Sequence, residues 1–591
     1  MIFPIPKKEE YKEGIYKLKA KLNTTCLKGF YNEALVCDEI KFEKSADLKK
    51  EAHTISVCEK GIKIVYATDE GRFRAITSLY HLIKTQGVEF KFTEIEDEPD
   101  FERRGYMLDI SRGRKPKVET LKEFIEYLAE MKYNEFQIYI EDFSFKYEAY
   151  PQVNAEFDCL TAEDIKDIEA FCDERFIDLV PNQNCFGHMS HWLERDEFKH
   201  MGLFDENNPN SDTLNPIHPE TFGFVDGLFE SLLPHFKSKY VNVGMDEAFG
   251  LGEFQSKEFC DKYGKDVMFT DYLNKVSDHV NKKYNKKVMF WADMITNYPE
   301  AHTRIPKNAT ALEWGYELIQ SQTMAEHCWA FQRKGIDFYV CPSANTHLSY
   351  VGRHDVTTFN LRTAGEVGRT YGARGYLITD WGMPDDGHAQ SLVFSYFASA
   401  LAAQYGWQVG RFQNGEDFKT DYIRAANKFM DDYWFGGVEV SEYLFRLANY
   451  YLLEPERIHV GTICGESFGE PLDVTGNIYF DLKRNGHDFY FDNLIDYVQK
   501  IMKDIETLEF DVRLKKEILL GAKQVIVAAE LCKVRRNQEI TADKCKEVSN
   551  LIDEVRTEFM DCWRDRNFEN GIEIYSSKLL RRKEEMKARM K

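Results

Sequence analysis

Lys239-Tyr-Val-Asn-Val-Gly-Met-Asp-Glu-Ala-Phe-Gly-Leu-Gly252 joins an apolar, strand-like run to a glycine, two adjacent carboxylates and a glycine-bearing loop. A run of aromatic and β-branched residues closed by glycine reads as a strand. Acids at the end of such a strand are candidates for proton transfer. Two solvated acids where a strand stops would look the same, so the flanking sequence has to decide.

Working outward, helices are expected at 219–236 before this stretch and at 267–284 after it. The same strand–helix alternation continues both ways. Strands are predicted at 105–111, 135–141, 177–183, 240–245, 287–293, 309–314, 337–342 and 375–381. Helices are predicted at 118–132, 162–176, 324–334, 357–371 and 390–405. Eight alternating units predict an α/β chain built on a (β/α)₈ TIM barrel over 101–408. An open doubly wound sheet is the competing fold, but nothing would stop it at eight strands. The connection 295–308 is short for a full helix.

The remaining sequence brackets the barrel. The chain of 591 residues exceeds one hydrophobic core. Residues 1–100 read as a small α+β domain. Thr54–Cys58 and Gly61–Tyr66 alternate as half-buried strands, a helix follows from Gly71, and acidic Glu94–Pro99 reads as a linker. Residues 409–591 read as an α-helical C-terminal domain, with helices at 416–434, 440–453, 491–508, 512–536 and 541–559. The basic last fifteen residues read as a solvated helix end.

Composition excludes several classes of function. A net charge of −22 speaks against nucleic acid and anionic membranes as partners. No apolar run approaches the ~18 residues of a membrane span. The start, Met-Ile-Phe-Pro-Ile-Pro-Lys-Lys-Glu-Glu, does not read as a signal peptide. The 13 cysteines lack paired CxxC spacing and are expected as free, buried thiols of a cytoplasmic protein. Aromatic residues make up 14% of the chain, which suits stacking on pyranose faces.

Barrel chemistry sits at the C-terminal ends of the strands. Those ends carry Asp109 and Arg112, Glu141 and Asp142, Asn184 and His188, Asp246 and Glu247, Trp291 and Asp293, Glu313, Trp314 and Tyr316, Tyr339, and Asp380, Trp381, Asp385 and His388. A carboxylate-rich mouth with three tryptophans suits a neutral polyhydroxylated ring. His188 and His191 share one loop and other strand-end imidazoles are scarce, so neither a metal nor a cofactor is expected. There is no GxSxG elbow, and Gly250-Leu-Gly252 lacks the Lys-Ser/Thr of a phosphate loop.

Glycosidases normally place two carboxylates about 5–5.5 Å or about 6.5–9.5 Å apart, on opposite faces of the sugar. Adjacent Asp246 and Glu247 are badly placed for that, and the seventh strand ends without an acid. The nucleophile can then be the substrate's own 2-acetamido oxygen, giving an oxazolinium ion. In that scheme Glu247 is acid and base, Asp246 holds the acetamido N–H, and Tyr339 holds the acetamido oxygen. A retaining glycosidase with Glu313 or Glu141 as direct nucleophile is the alternative within the same class. Asp109 and Asp293 fit structural roles toward Arg or backbone N–H groups.

Arg104-Gly-Tyr-Met-Leu-Asp-Ile-Ser-Arg112, Asn242-Val-Gly-Met-Asp-Glu247, Trp291-Ala-Asp293, Glu313-Trp314 and Asp380-Trp-Gly382, taken in order, resemble glycoside hydrolase family twenty, the β-N-acetylhexosaminidases. The resemblance spans about 1–407, and the helical tail looks like that of a bacterial, intracellular-type branch. It implies an exo-acting, retaining enzyme on an N-acetylhexosamine-terminated glycan. It also implies that Arg112 binds sugar hydroxyls, that Trp291, Trp314 and Trp381 wall the pocket, that His188 supports the catalytic Glu, and that Glu141 is a supporting acid. Two departures stand out. Cys341 replaces an acid of the seventh strand end and Met383 replaces one of the eighth, with Asp385 the candidate substitute. A catalytically dead carbohydrate-binding protein on the same scaffold is the reading from another class. The C-terminal helices are open either to packing on the barrel or to a homodimer contact.

Overall fold

The structure, a computed structural model, describes residues 1–153, 157–382, 390–410, 418–473, 489–537 and 540–590. At the N-terminal end, strands Lys8–Lys17 (β1), Ile40–Lys44 (β2), His53–Cys58 (β3), Gly61–Tyr66 (β4) and Glu89–Asp97 (β5) form one sheet in the order β1-β5-β3-β4-β2. Helix Asp69–Gln86 packs on it through Phe73, Ile76, Leu79 and Tyr80. The stretch expected as a linker, Glu94–Pro99, is instead the end of β5 as far as Asp97. Its acids misled because Glu94 and Glu96 sit on the open face while Ile95 points into the core, the period-2 pattern of a half-buried strand.

Strands Arg103–Asp109 (β6), Glu135–Ile140 (β7), Asp178–Gln183 (β8), Tyr240–Asn242 (β9), Lys287–Trp291 (β10), Thr310–Trp314 (β11), Asp337–Cys341 (β12) and Gly375–Asp380 (β13) close into a barrel, each parallel to its neighbours. The predicted (β/α)₈ barrel is the observed fold. Alternate residues fill the inside, among them Met107, Tyr139, Val180, Met289, Leu312, Tyr339 and Leu377. The intervening residues, such as Phe136, Ile138, Phe290 and Tyr376, join the layer of surrounding helices. β9 is shorter than predicted, because the chain leaves the sheet at Val243. Between β10 and β11 there is only a single turn, Asp293–Thr296, and a tight turn over Pro299–Thr303.

Beyond β13, helices Tyr396–Trp407, Phe418–Tyr433, Ser441–Ala448, Phe489–Glu506, Val512–Asn537, Ala542–Arg566 and Ile572–Ala588 follow. The final helix is no solvated end. Tyr575, Leu579 and Met586 are buried on one face, and Lys578 and Arg582 are covered with them. Its basic residues recur at helical spacing beside apolar ones, so charge alone misread it. Among the described residues no helix is long and apolar enough to cross a membrane.

Candidate active site

The loops after β8 and β9 interleave at the mouth of the barrel. β8 and β9 meet at one pair, Asn182 and Asn242, whose side-chain amides both donate to Gln137 Oε1 (3.1 and 3.2 Å). From there the β9 chain turns through left-handed conformations at Gly244 (φ 72°), Met245 (φ 81°) and Glu247 (φ 47°). A side chain on Gly244 would collide with Asn184 Oδ1 at 1.7 Å, and one on Gly187 would meet the Asp246 carbonyl oxygen at 2.1 Å. Both glycines are needed for this approach. Non-glycine residues held at positive φ concentrate strain at functional sites.

This turn delivers Asp246 and Glu247 into a cleft of about 390 Å³. The cleft is also lined by Arg112, His188, Trp314, Tyr316, His347 and Trp381, within the size range of small-molecule sites. His188 Nε2 lies 3.3 Å from Asp246 Oδ2 and 3.2 Å from Glu247 Oε2. Burial pulls the His188 imidazolium down, but Asp246, Glu247 and Glu141 together outweigh it and hold it well above its usual range. The cation therefore bridges the two acids. Asp246 Oδ1, buried, accepts no hydrogen bond among the described residues. Glu247 is 36% exposed toward the cleft. Its backbone N–H donates to Asp293 Oδ2 at 3.0 Å. Burial, followed by the charge of Asp246, pushes the Asp293 carboxyl well above its usual range. Asp293 thus binds a backbone N–H of the acid-bearing turn.

Arg112 forms the opposite wall. Its Nη1 donates to Asp109 Oδ2 and its Nη2 to Glu141 Oε2, each at 2.9 Å. Asp109 also accepts the backbone N–H groups of Ser111 and Gly382 (both 2.9 Å), so it is a structural anchor. The guanidinium lies 5.2 Å from the ring centre of Trp381. Trp381 donates through Nε1 to the Tyr316 hydroxyl at 2.9 Å. Trp314 and Tyr316 pack ring to ring at 5.1 Å.

The structure brings together most of the expected residues and separates others. Tyr339 was expected to hold the acetamido oxygen, yet it sits deep in the barrel. Its hydroxyl donates to Glu135 Oε2 at 3.2 Å, near the strands' N-terminal ends. Its interior position on β12 is one pleat too low, with Cys341 next above it. Trp291 is 1% exposed and packs under Trp381 at 5.9 Å, so it supports the pocket instead of lining it. Glu141 likewise lies behind the cleft, holding Arg112 and accepting from Tyr139 OH at 2.6 Å. Glu313 faces outward and pairs with His327 at 2.7 Å. Asp385, with 383–389, lies outside the described residues.

The sequence reading gave no role to Tyr316, Gln320, His347, His459 or Val460, all of which line the cleft. Tyr316 had one available signal, its place two residues past β11. Gln320 lies in the tight turn Leu318–Gln320 and the others in loops, none of which periodicity marks. Among the described residues no group of three or more His, Cys, Asp or Glu gathers to hold a metal ion.

Comparison with known proteins agrees with this geometry. Residues 101–372 match the model for glycosyl hydrolase family 20, catalytic domain, and residues 17–98 match that for glycosyl hydrolase family 20, domain 2. The chain is 23% identical to a beta-hexosaminidase of Vibrio furnissii over 52% of this chain and 54% of that protein, so it spans about half of that relative's length. It is 26% identical to beta-hexosaminidase A of Caenorhabditis elegans over 59% of this chain and 68% of that one. It is 24% identical to hexosaminidase D of Bos taurus over 46% and 82%. Among solved structures, a chitobiase of Flavobacterium johnsoniae superposes with a TM-score of 0.59 at 17% identity, covering 99% of both chains. An exo beta-N-acetylglucosaminidase of Vibrio harveyi superposes with a TM-score of 0.58 at 18% identity, covering 74% of this chain and 78% of that one. Two consecutive family domains, in family order and with the paired acids at the fourth strand end, mean that the chain belongs to glycosyl hydrolase family 20.

Proposed function

We propose that this protein is an exo-acting β-N-acetylhexosaminidase that releases terminal β-linked GlcNAc or GalNAc by a retaining, substrate-assisted reaction. The observation that carries this reading is Asp246. One carboxylate oxygen faces His188 and the other is buried with no donor among the described residues. A buried, unsatisfied carboxylate oxygen costs about 1–3 kcal/mol, and an amide N–H from the substrate would remove that penalty. The names of the relatives point to the same substrate class.

In this scheme Asp246 orients the acetamido group so that its oxygen attacks the anomeric carbon. Glu247 gives its proton to the departing glycosidic oxygen, then takes one from the water that opens the oxazolinium ring. Two displacements at one carbon return the original configuration. His188 holds both acids in place. Tyr316 takes the part first expected of Tyr339. Its ring lines the cleft, its hydroxyl accepts from Trp381, and in this reading that hydroxyl turns its proton to the acetamido oxygen when substrate binds. The direct-nucleophile alternative is disfavoured because Glu313 faces away from the cleft and Glu141 is tied to Arg112. The cytoplasm is the proposed location, since all thirteen cysteines are free and ten are buried.

The test uses p-nitrophenyl β-N-acetylglucosaminide and galactosaminide. We expect turnover of at least one, inhibition by a thiazoline analogue of the oxazolinium ion, and a kcat loss of about 10²–10⁴ in Glu247→Gln on unactivated glycosides. Absence of release from both substrates overturns the activity. Turnover that the thiazoline leaves untouched overturns the mechanism.

A further inference from the structure

Part of the pocket wall comes from outside the barrel. His459 and Val460 lie between helices Ser441–Ala448 and Phe489–Glu506, beyond both matched family regions, and line the cleft that holds Asp246 and Glu247. Their segment is pinned to the barrel loops that follow β11 and β12. Val460 N–H donates to Glu317 Oε1 at 3.1 Å, and Glu317 pairs with buried Arg353 at 2.7 Å. Thr462 N–H donates to the Leu348 carbonyl at 3.1 Å. On the helical side, the Glu454 carboxylate accepts the N–H groups of Ile463 and Cys464 at 2.9 and 2.8 Å.

The anchoring holds a costly conformation. Val460 has φ 70°, a left-handed backbone on a β-branched residue. Such strain persists where the surroundings impose it, commonly at binding sites. The result places His459 in the lining of the cleft that Gln320, His347 and Tyr316 also line. An imidazole offers one donor and one acceptor, which suits a sugar hydroxyl.

We propose that the helical C-terminal region is part of the glycoside site, with His459 hydrogen-bonding a hydroxyl of the bound N-acetylhexosaminide. The inference rests on the hexosaminidase reading for its substrate. It makes His459 a specificity-determining residue supplied by a region that the family's catalytic domain does not contain.

The test compares full-length wild type with His459→Ala and His459→Asn on both p-nitrophenyl substrates, alongside thermal unfolding. Loss of one hydrogen bond to substrate should raise KM about 3–10-fold, with kcat changed less, Tm unchanged, and partial recovery in the asparagine variant. A kcat/KM within twofold of wild type on both substrates overturns the proposal, as does a loss matched by a fall in Tm in both variants. If wild type turns over neither substrate, the activity reading fails by itself. The comparison then moves to binding of N-acetylglucosamine by titration calorimetry, where weaker binding by His459→Ala supports the proposal. Equal affinity, or no binding by either protein, overturns it.

Discussion

The two tyrosines at the sixth and seventh strand ends show how one residue's depth decides its chemistry. Tyr339 and Tyr316 both follow the barrel's inward direction, but the Tyr339 hydroxyl is spent on Glu135 deep in the barrel, while Tyr316 lines the cleft and its hydroxyl meets Trp381 Nε1. Burial also pushes the Tyr316 phenol well above its usual range, so it remains a proton donor. Tyr316→Phe should therefore lower kcat about 10–100-fold while costing only about 0.5–1.5 kcal/mol of stability through the lost acceptor of Trp381 Nε1. Tyr339→Phe should leave kcat within about threefold and cost about 0.5–1.5 kcal/mol of stability. Steady-state kinetics and thermal unfolding of the pair check this, and the reverse pattern would restore Tyr339 to the acetamido role.

At the scale of elements, the β8 and β9 loops work as one unit. The His188 cation reaches both acids only because Gly187 lets its loop pass 2.1 Å, in the sense of an added Cβ, from the Asp246 carbonyl. Gly187→Ala has to push one loop off the other. Misplacing reacting groups by about 1 Å can cost on the order of 10² in rate, so a fall in kcat/KM of that order is expected, well beyond the change in stability. A loss under threefold would mean that the loops are not coupled in this way. The paired acids and the Gly-His of the β8 loop were legible from the sequence, but their interleaving was not. It depends on backbone turns at Met245 and Glu247 that residue type does not announce.

The whole molecule is held by buried charge at its joints. Glu51 of the N-terminal domain accepts from Arg74 Nε at 3.0 Å and from Arg104 Nη2 at 2.6 Å, at the start of the barrel. Burial alone would raise the Glu51 carboxyl, but Arg104 and Arg74 overcome it and bring it to about 2. A depressed carboxyl stabilises the fold above its unfolded value near 4.5, and that contribution fades as pH falls toward 2. Glu51→Gln leaves two buried arginines without their partner and should cost about 3–5 kcal/mol at pH 7. The gap to wild type should narrow below pH 4.5. Denaturant titrations at pH 7 and pH 3 test this, and an equal gap at both would rule out the ionised Glu51 as the cause. At the other joint, Asp97 accepts from Lys132 Nζ at 3.0 Å and from Trp407 Nε1 at 2.8 Å. This is why the segment first read as a linker is an integral strand.

What the sequence determined by itself was the eightfold strand–helix alternation and the chemistry at its strand ends, because both are written in local periodicity and residue type. Asp246, Glu247, His188, Arg112, Trp314 and Trp381 were read from it and meet in one cleft. Only the tertiary structure decided the depth of Tyr339, the retreat of Trp291 and Glu141 behind the wall, the outward turn of Glu313, and the arrival of His459 from the helical region. Those outcomes follow from the pleat of each strand, the radius of the closed barrel and contacts between segments far apart in the chain, none of which local sequence encodes.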